Sequence, residues 1–172
     1  RGAASPGQER AVVIEPGLYG ILSNPKVGYR ALAAIMVAEG VRTLQLRVKG
    51  APPAALLAIA REVREVVPAD HLLIVNDVVE VARDAGADGV HLGQDDAGFD
   101  HARRVLGRDA VIGLSTHSVA QVRSACARGP AYIGVGPVFA TTTKLDAEAT
   151  IGLEGLAEMC REASVPTVAI GG

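Results

Sequence analysis

"RDAGADGVHLGQDD", residues 83–96, packs a helix end, a glycine and an apolar strand into fourteen positions. Gly86 suits the left-handed conformation just past a helix, and the apolar residues from Gly89 onward read as a strand. The same design recurs upstream in "VAEGVRTLQLRVK" (37–49), where Gly40 is the stop, and downstream in "CARGPAYIGVGPV" (126–138), where it is Gly129. Each copy is the αβ half of a βαβ unit. Helix-length segments lie between the copies. After Pro52 and Pro53, which suit a helix start, Leu56, Ile59, Ala60, Val63 and Val67 recur at helical spacing.

Extending this pattern predicts strands near 18–23, 43–48, 71–76, 89–93, 110–115, 132–138 and 167–171, seven in all. Their interiors are almost continuously apolar ("LLIV", "TVAI"), as expected of parallel strands covered on both faces. The regular alternation indicates an α/β fold in one domain over residues 17–172, after a flexible leader over 1–16 rich in small residues, Gly and Pro. An open dinucleotide-binding sheet should carry G-x-G-x-x-G after its first strand, and "LYGILSNPKVGYR" (18–30) lacks it. The favoured architecture is therefore a (β/α)₈ barrel of the TIM type. Such barrels typically need about 250 residues, so the expectation is that the eighth βα unit is missing from this sequence. Either the chain is truncated after strand seven, or a partner closes the barrel.

Composition narrows the partners. With 172 residues, 49% hydrophobic and 21% charged, the chain can bury a sizeable core. A formal net charge of −2 gives no general attraction to nucleic acid or anionic membrane, and 3% aromatic residues leave few platforms for stacking bases. Any bound anion must be held locally. Cys126 and Cys160 each fall in a predicted helix and suggest neither a disulfide framework nor a zinc pair, so a reducing cytoplasm is expected. The longest apolar run, "ALAAIMVA" (31–38), is far shorter than the roughly 20 residues of a membrane span, and no signal-peptide pattern is recognised. Small-molecule substrates are the expected partners. A homo-oligomer is compatible with the sequence.

In a parallel barrel the chemistry gathers where strands end and βα loops begin. Strand two exits through "QLRVK", where alternation puts Gln45, Arg47 and Lys49 on one face and Leu46 and Val48 on the other. The alternative is a solvated edge strand. Strand three exits at Asn76 and Asp77, and strand four leads to "HLGQDD" with Asp95 and Asp96. Neighbouring parallel strands run about 4.8 Å apart, so exit carboxylates can converge on one point, where they need a proton or a metal between them. Hard oxygen ligands without thiolates favour Mg²⁺. For Asp77 alone, the competing reading is an N-cap of the next helix, "DVVEVARDAG".

Strand five exits through "GLSTHS". Ser115 beside His117 invites a hydrolase reading, but no G-x-S-x-G elbow is present. Hydrogen bonding to an anionic or heteroaromatic ligand suits Ser115 better, and His117 reads as a cap or loop residue. In "YIGVGPVFATTTK" (132–144), Gly134 and Gly136 remove side chains where a ligand or another backbone approaches. Thr141, Thr142, Thr143 and Lys144 follow as hydroxyls and an ammonium suited to phosphate, although the same run fits a plain polar loop. "IGG" at 170–172 repeats the glycine pattern on strand seven.

Together "QLRVK", "VND", "GVHLGQDD", "GLSTH", "YIGVGPVFATTTK" and "AIGG", in this order and spacing, resemble the thiamine-phosphate synthase family over about residues 17–172. The resemblance implies a (β/α)₈ transferase that joins hydroxymethylpyrimidine diphosphate to thiazole phosphate, with Mg²⁺ as cofactor. It implies that Gln45, Leu46, Arg47, Val48, Lys49, Asn76 and Ser115 hold the pyrimidine diphosphate and that Asp77 and Asp96 bind Mg²⁺. Thr141, Thr142, Thr143 and Gly172 would take the thiazole phosphate and Lys144 the diphosphate, with Arg47, Lys49, Lys144 and Ser115 the catalytic group. Two rivals remain. A thiazole tautomerase on a similar barrel has no diphosphate to expel and no need of Arg47, Lys49, Asp77 and Asp96 together. A non-catalytic barrel binding phosphorylated ligands is supported only by the missing end.

Overall fold

The computed structural model describes residues 14–93, 98–140 and 149–171. Its strands are β1 (Tyr19–Leu22), β2 (Thr43–Leu46), β3 (Leu72–Asn76), β4 (Gly89–Leu92), β5 (Val111–Thr116), β6 (Tyr132–Val135) and β7 (Thr167–Ala169). Helices α1 (Tyr29–Ala38), α2 (Pro53–Arg64), α3 (Val79–Asp84), α4 (Phe99–Leu106), α5 (Val119–Ala127) and α6 (Gly152–Glu162) alternate with them. All seven expected strands are present, six of them shorter than expected, while β5 is displaced by one residue and ends at Thr116. At β6 the ladder stops before Pro137, which has no N–H to give it.

The three stop glycines behave as expected. Gly40, Gly86 and Gly129 have φ of +81°, +64° and +68°. Past Gly40, the Val41 N–H reaches back to Met36 O at 2.9 Å; past Gly86, Ala87 N–H does the same to Ala82 O at 2.9 Å. These are the six-to-one bonds of a Schellman cap, which satisfy helix-end carbonyls and turn the chain toward the next strand. In α2, Leu56, Ala60 and Val63 are buried, with Val67 just beyond, so the periodicity read from the sequence is the packed face.

The sheet is parallel throughout and runs β1-β2-β3-β4-β5-β6-β7 in chain order. Among the described residues the strand order never reverses, as it would in a doubly wound sheet. Curvature follows from one contact. In a flat sheet β1 and β6 would lie about 24 Å apart, five spacings of about 4.8 Å, yet Tyr19 of β1 and Tyr132 of β6 are hydrogen-bonded through their hydroxyls at 2.6 Å. The sheet is therefore rolled into a barrel wall.

Strand alternation then gives two cores. Leu22, Leu44, Leu46, Leu73, Val75, Val90, Leu92, Ile112, Leu114, Ile133 and Val135 face outward and pack with the helices in one large cluster. A small inner cluster of Ile74, Val111 and Tyr132, flanked by Tyr19, Leu72 and Val168, plugs the barrel. Full burial of a Leu or Val side chain contributes about 1.5–3 kcal/mol, so the outer layer carries most of the stability. The inner layer is where polar side chains enter.

Candidate active site

Starting within the inner plug, five side chains from five strands form one hydrogen-bonded chain. Gln45 Nε2 on β2 donates to the Tyr19 hydroxyl at 2.9 Å. Tyr19 meets Tyr132 at 2.6 Å, and the Tyr132 hydroxyl meets His91 Nδ1 at 2.9 Å. His91 Nε2 in turn lies 2.9 Å from Ser115 Oγ on β5. Gln45, His91 and Tyr132 are buried. Glycines make the room: a Cβ at Gly113 would overlap the Tyr132 ring, and one at Gly134 would press on His91. Gly134 thus gives way to a histidine, whereas Gly136 gives way to backbone, since its Cβ would strike Ile170 O.

Burial pushes the Tyr19 hydroxyl up to about 12, against its hydrogen bonds with Tyr132 and Gln45, which act the other way. Burial likewise holds Tyr132 well above the ordinary tyrosine value, aided by its neighbour Tyr19. Both phenols are neutral at physiological pH. Sequence reasoning had found Gln45 and Ser115 but missed Tyr19, His91 and Tyr132, which link them.

Further polar groups follow at the exits of β2 and β3, the same end of the parallel sheet as Ser115 on β5. Arg47 follows β2, with its N–H on Leu22 O at 3.0 Å, and is half-buried; Lys49 is exposed. Neither cation is in an ion pair among the described residues. Leu46 is fully buried in the outer cluster and Val48 packs against it, so both side chains are turned to the helix layer. Asn76 closes β3 and its Nδ2 donates to Asp77 Oδ2. Asp77 sits in the left-handed region (φ 66°), and α3 has Val78 at its N-cap position with no side-chain cap. The capping alternative for Asp77 therefore fails, and its carboxylate is exposed at the rim.

His117 is a structural clasp: its Nδ1 meets Gly136 O, and its N–H donates to Gln121 Oε1 at 2.6 Å. Ser115 is paired with His91 and not with its near neighbour in sequence. The exits of β6 and β7 are laced together by Val138 N–H to Ile170 O (2.9 Å) and Phe139 N–H to Gly171 O (3.1 Å). Gly171 has φ +98°, and a Cβ there would collide with Pro137, so this junction requires glycine. Asp95, Asp96, Thr141, Thr142, Thr143, Lys144 and Gly172 lie outside the described residues.

A rolled parallel sheet with a polar inner chain, flanked at its exits by cations and a carboxylate, suits a phosphorylated heteroaromatic ligand. Comparison with known proteins gives that chemistry a lineage. A family model described as thiamine monophosphate synthase matches residues 21–172. The chain belongs to the thiamine monophosphate synthase family. The thiamine-phosphate synthase of Anaeromyxobacter dehalogenans strain 2CP-C is 41% identical over 156 residues, covering 91% of this chain and 69% of that protein. That of Pelotomaculum thermopropionicum is 42% identical over 164 residues, covering 93% and 75%. Among solved structures, thiamine phosphate pyrophosphorylase from Pyrococcus furiosus aligns with a TM-score of 0.77 at 31% identity, covering 90% of this chain and 74% of that one. Membership in the thiamine monophosphate synthase family bears out the expected transferase class and the barrel fold.

Proposed function

We propose that this barrel joins 4-amino-2-methyl-5-hydroxymethylpyrimidine diphosphate to thiazole phosphate, giving thiamine phosphate and diphosphate. The observation that carries the reading is the inner chain from Gln45 to Ser115, ending beside the exits that bear Arg47, Asn76 and Asp77. Gln45, Asn76 and Ser115 orient the pyrimidine by hydrogen bonds, with main-chain groups of Leu46 and Val48 alongside. Arg47 and Lys49 bind the diphosphate, and Lys144 joins them. Thr141, Thr142, Thr143 and Gly172 hold the thiazole phosphate.

The C–O bond to diphosphate breaks with its electron pair leaving on oxygen, and the aminopyrimidine stabilises the cationic carbon. The thiazole nitrogen then supplies the pair for the new C–N bond. It needs positioning rather than a general base. Cations already aimed at the leaving group are worth most in the transition state, because negative charge grows there. The donor set also fits Mg²⁺. Asp77 offers an exposed, hard-oxygen carboxylate at the rim, oriented by Asn76 Nδ2, and Mg²⁺ commonly takes one or two carboxylates plus substrate phosphates. Asp77 and Asp96 would hold the ion, which would neutralise diphosphate charge. A cytoplasmic setting belongs to the same proposal, supported by two free cysteines, Cys126 and Cys160. Among the described residues, no helix is long and apolar enough to cross a membrane.

The experiment is incubation with both phosphorylated substrates and Mg²⁺, following diphosphate release and thiamine phosphate by chromatography. Stoichiometric release of both products is expected. Binding of both substrates without diphosphate release sinks the transferase reading.

A further inference from the structure

Proton counting along the inner chain gives it a direction. A tyrosine hydroxyl has one proton to donate, and a neutral imidazole has one N–H. Gln45 Nε2 donates to Tyr19, so the Tyr19 oxygen is an acceptor there and its own proton must go elsewhere. Its partner is Tyr132. Were Tyr132 instead to donate to Tyr19, the Tyr19 proton would face two donors inside the barrel. Tyr19 therefore donates to Tyr132, Tyr132 donates to His91 Nδ1, and the imidazole proton resides on Nε2, facing Ser115 Oγ.

We propose that Tyr132 is a positioning residue of this site: its hydroxyl, fed by Gln45 and Tyr19, locks His91 as the Nε2–H tautomer that donates to Ser115. The consequence for Ser115 is chemical. With Nε2–H pointing at its oxygen, His91 cannot take the serine proton, so this Ser–His pair is no nucleophile and base. In hydrolytic triads the group behind the histidine is a carboxylate that stabilises imidazolium; here it is a neutral phenol. Ser115 is held as a donor, its proton committed to a group other than His91. Where a substrate meets Ser115, a heteroaromatic nitrogen or a phosphate oxygen is the acceptor such a donor suits. The idea rests on the synthase reading only for that last step, because the tautomer is a property of the protein alone.

The test is ¹⁵N NMR of the full chain labelled at histidine, with the His91 signals assigned from their loss in His91→Gln. The expected result is Nδ1 unprotonated and Nε2 protonated. In Tyr132→Phe the tautomers should mix, whereas in Tyr19→Phe, where Tyr132 still donates, the Nε2–H form should persist. Steady-state kinetics should show Tyr132→Phe raising KM for the pyrimidine diphosphate about fivefold to tenfold, the factor of one ordinary hydrogen bond, with KM for thiazole phosphate unchanged. A wild-type protein with the proton on Nδ1 overturns the proposal, and so does a Tyr132→Phe variant that keeps the pure Nε2–H form. If Tyr132→Phe does not fold, the wild-type and Tyr19→Phe spectra still decide it. Failure of the synthase reading registers separately, as absent turnover with the tautomer as stated.

Discussion

Asp88, immediately before β4, accepts two hydrogen bonds on one oxygen: from Arg64 Nη1 at 2.8 Å and from the Leu73 backbone N–H at 2.7 Å. It thereby ties the end of α2 to the entry ends of β3 and β4, at the opposite end of the strands from the site. Replacing Asp88 by Ala or by Asn separates the two contributions. Ala strands the N–H of fully buried Leu73, which costs about 1–3 kcal/mol. It also removes an ion pair whose side chains are 22% and 32% exposed, worth about 1 kcal/mol after solvent screening. Asp88→Ala should therefore destabilise by about 2–4 kcal/mol in total. Asn keeps an acceptor for Leu73 and loses only the charge, about 1 kcal/mol. Urea unfolding measures both. With m of about 1–3 kcal/mol/M, the Ala variant should lose about 1–2 M in midpoint and the Asn variant about a third of that, at unchanged m. Salt of about 1 M, with a Debye length near 3 Å, should shrink the Asn effect and leave most of the Ala effect. Equal losses for the two variants, or an Ala effect abolished by salt, would refute the assignment to the Leu73 amide.

Alkaline pH should unfold the protein through its inner tyrosines. Tyr19 is held up to about 12 by burial, while the unfolded value is about 10, so its contribution is complete below pH ~10 and is lost as pH rises through ~12, by about 2–3 kcal/mol. Stability against pH should fall over that window, and Tyr19→Phe should flatten the fall; an equally steep fall in the variant counts against it. Asp77→Ala should cut Mg²⁺-dependent turnover about tenfold or more, with thiazole phosphate binding by calorimetry unchanged; the reverse pattern overturns the assigned role. Arg47→Met should raise KM for the pyrimidine diphosphate about tenfold to a hundredfold, as loss of a charged hydrogen bond requires, without moving the urea midpoint.

Glycine stops and apolar runs were enough to place every strand, because both signals are local. Strand ends were less legible. The ladder at β2 closes at Leu46, where pairing with β1 and β3 runs out, and no residue type at Arg47 or Val48 announces it. The site was read only at the strand exits. Gln45 and Ser115 were found there, but Tyr19, His91 and Tyr132 sit within the strands, where a tyrosine counts as core and a histidine as a satisfied interior residue. A signal for His91 did exist: Val90 and Leu92 are both apolar, so alternation turns His91 to the same inner face as Gln45. The pairing of Tyr19 with Tyr132 had none, since only closure of the sheet brings β1 to β6.

The fit of Tyr132 against Gly113 also constrains how such a barrel can evolve. The phenol ring fills the space that any side chain at 113 would claim. A lineage that enlarges position 113 must first shrink position 132, and doing so severs the link to His91. Drift at this pair is gated by history, and relatives that differ at one position should differ at the other.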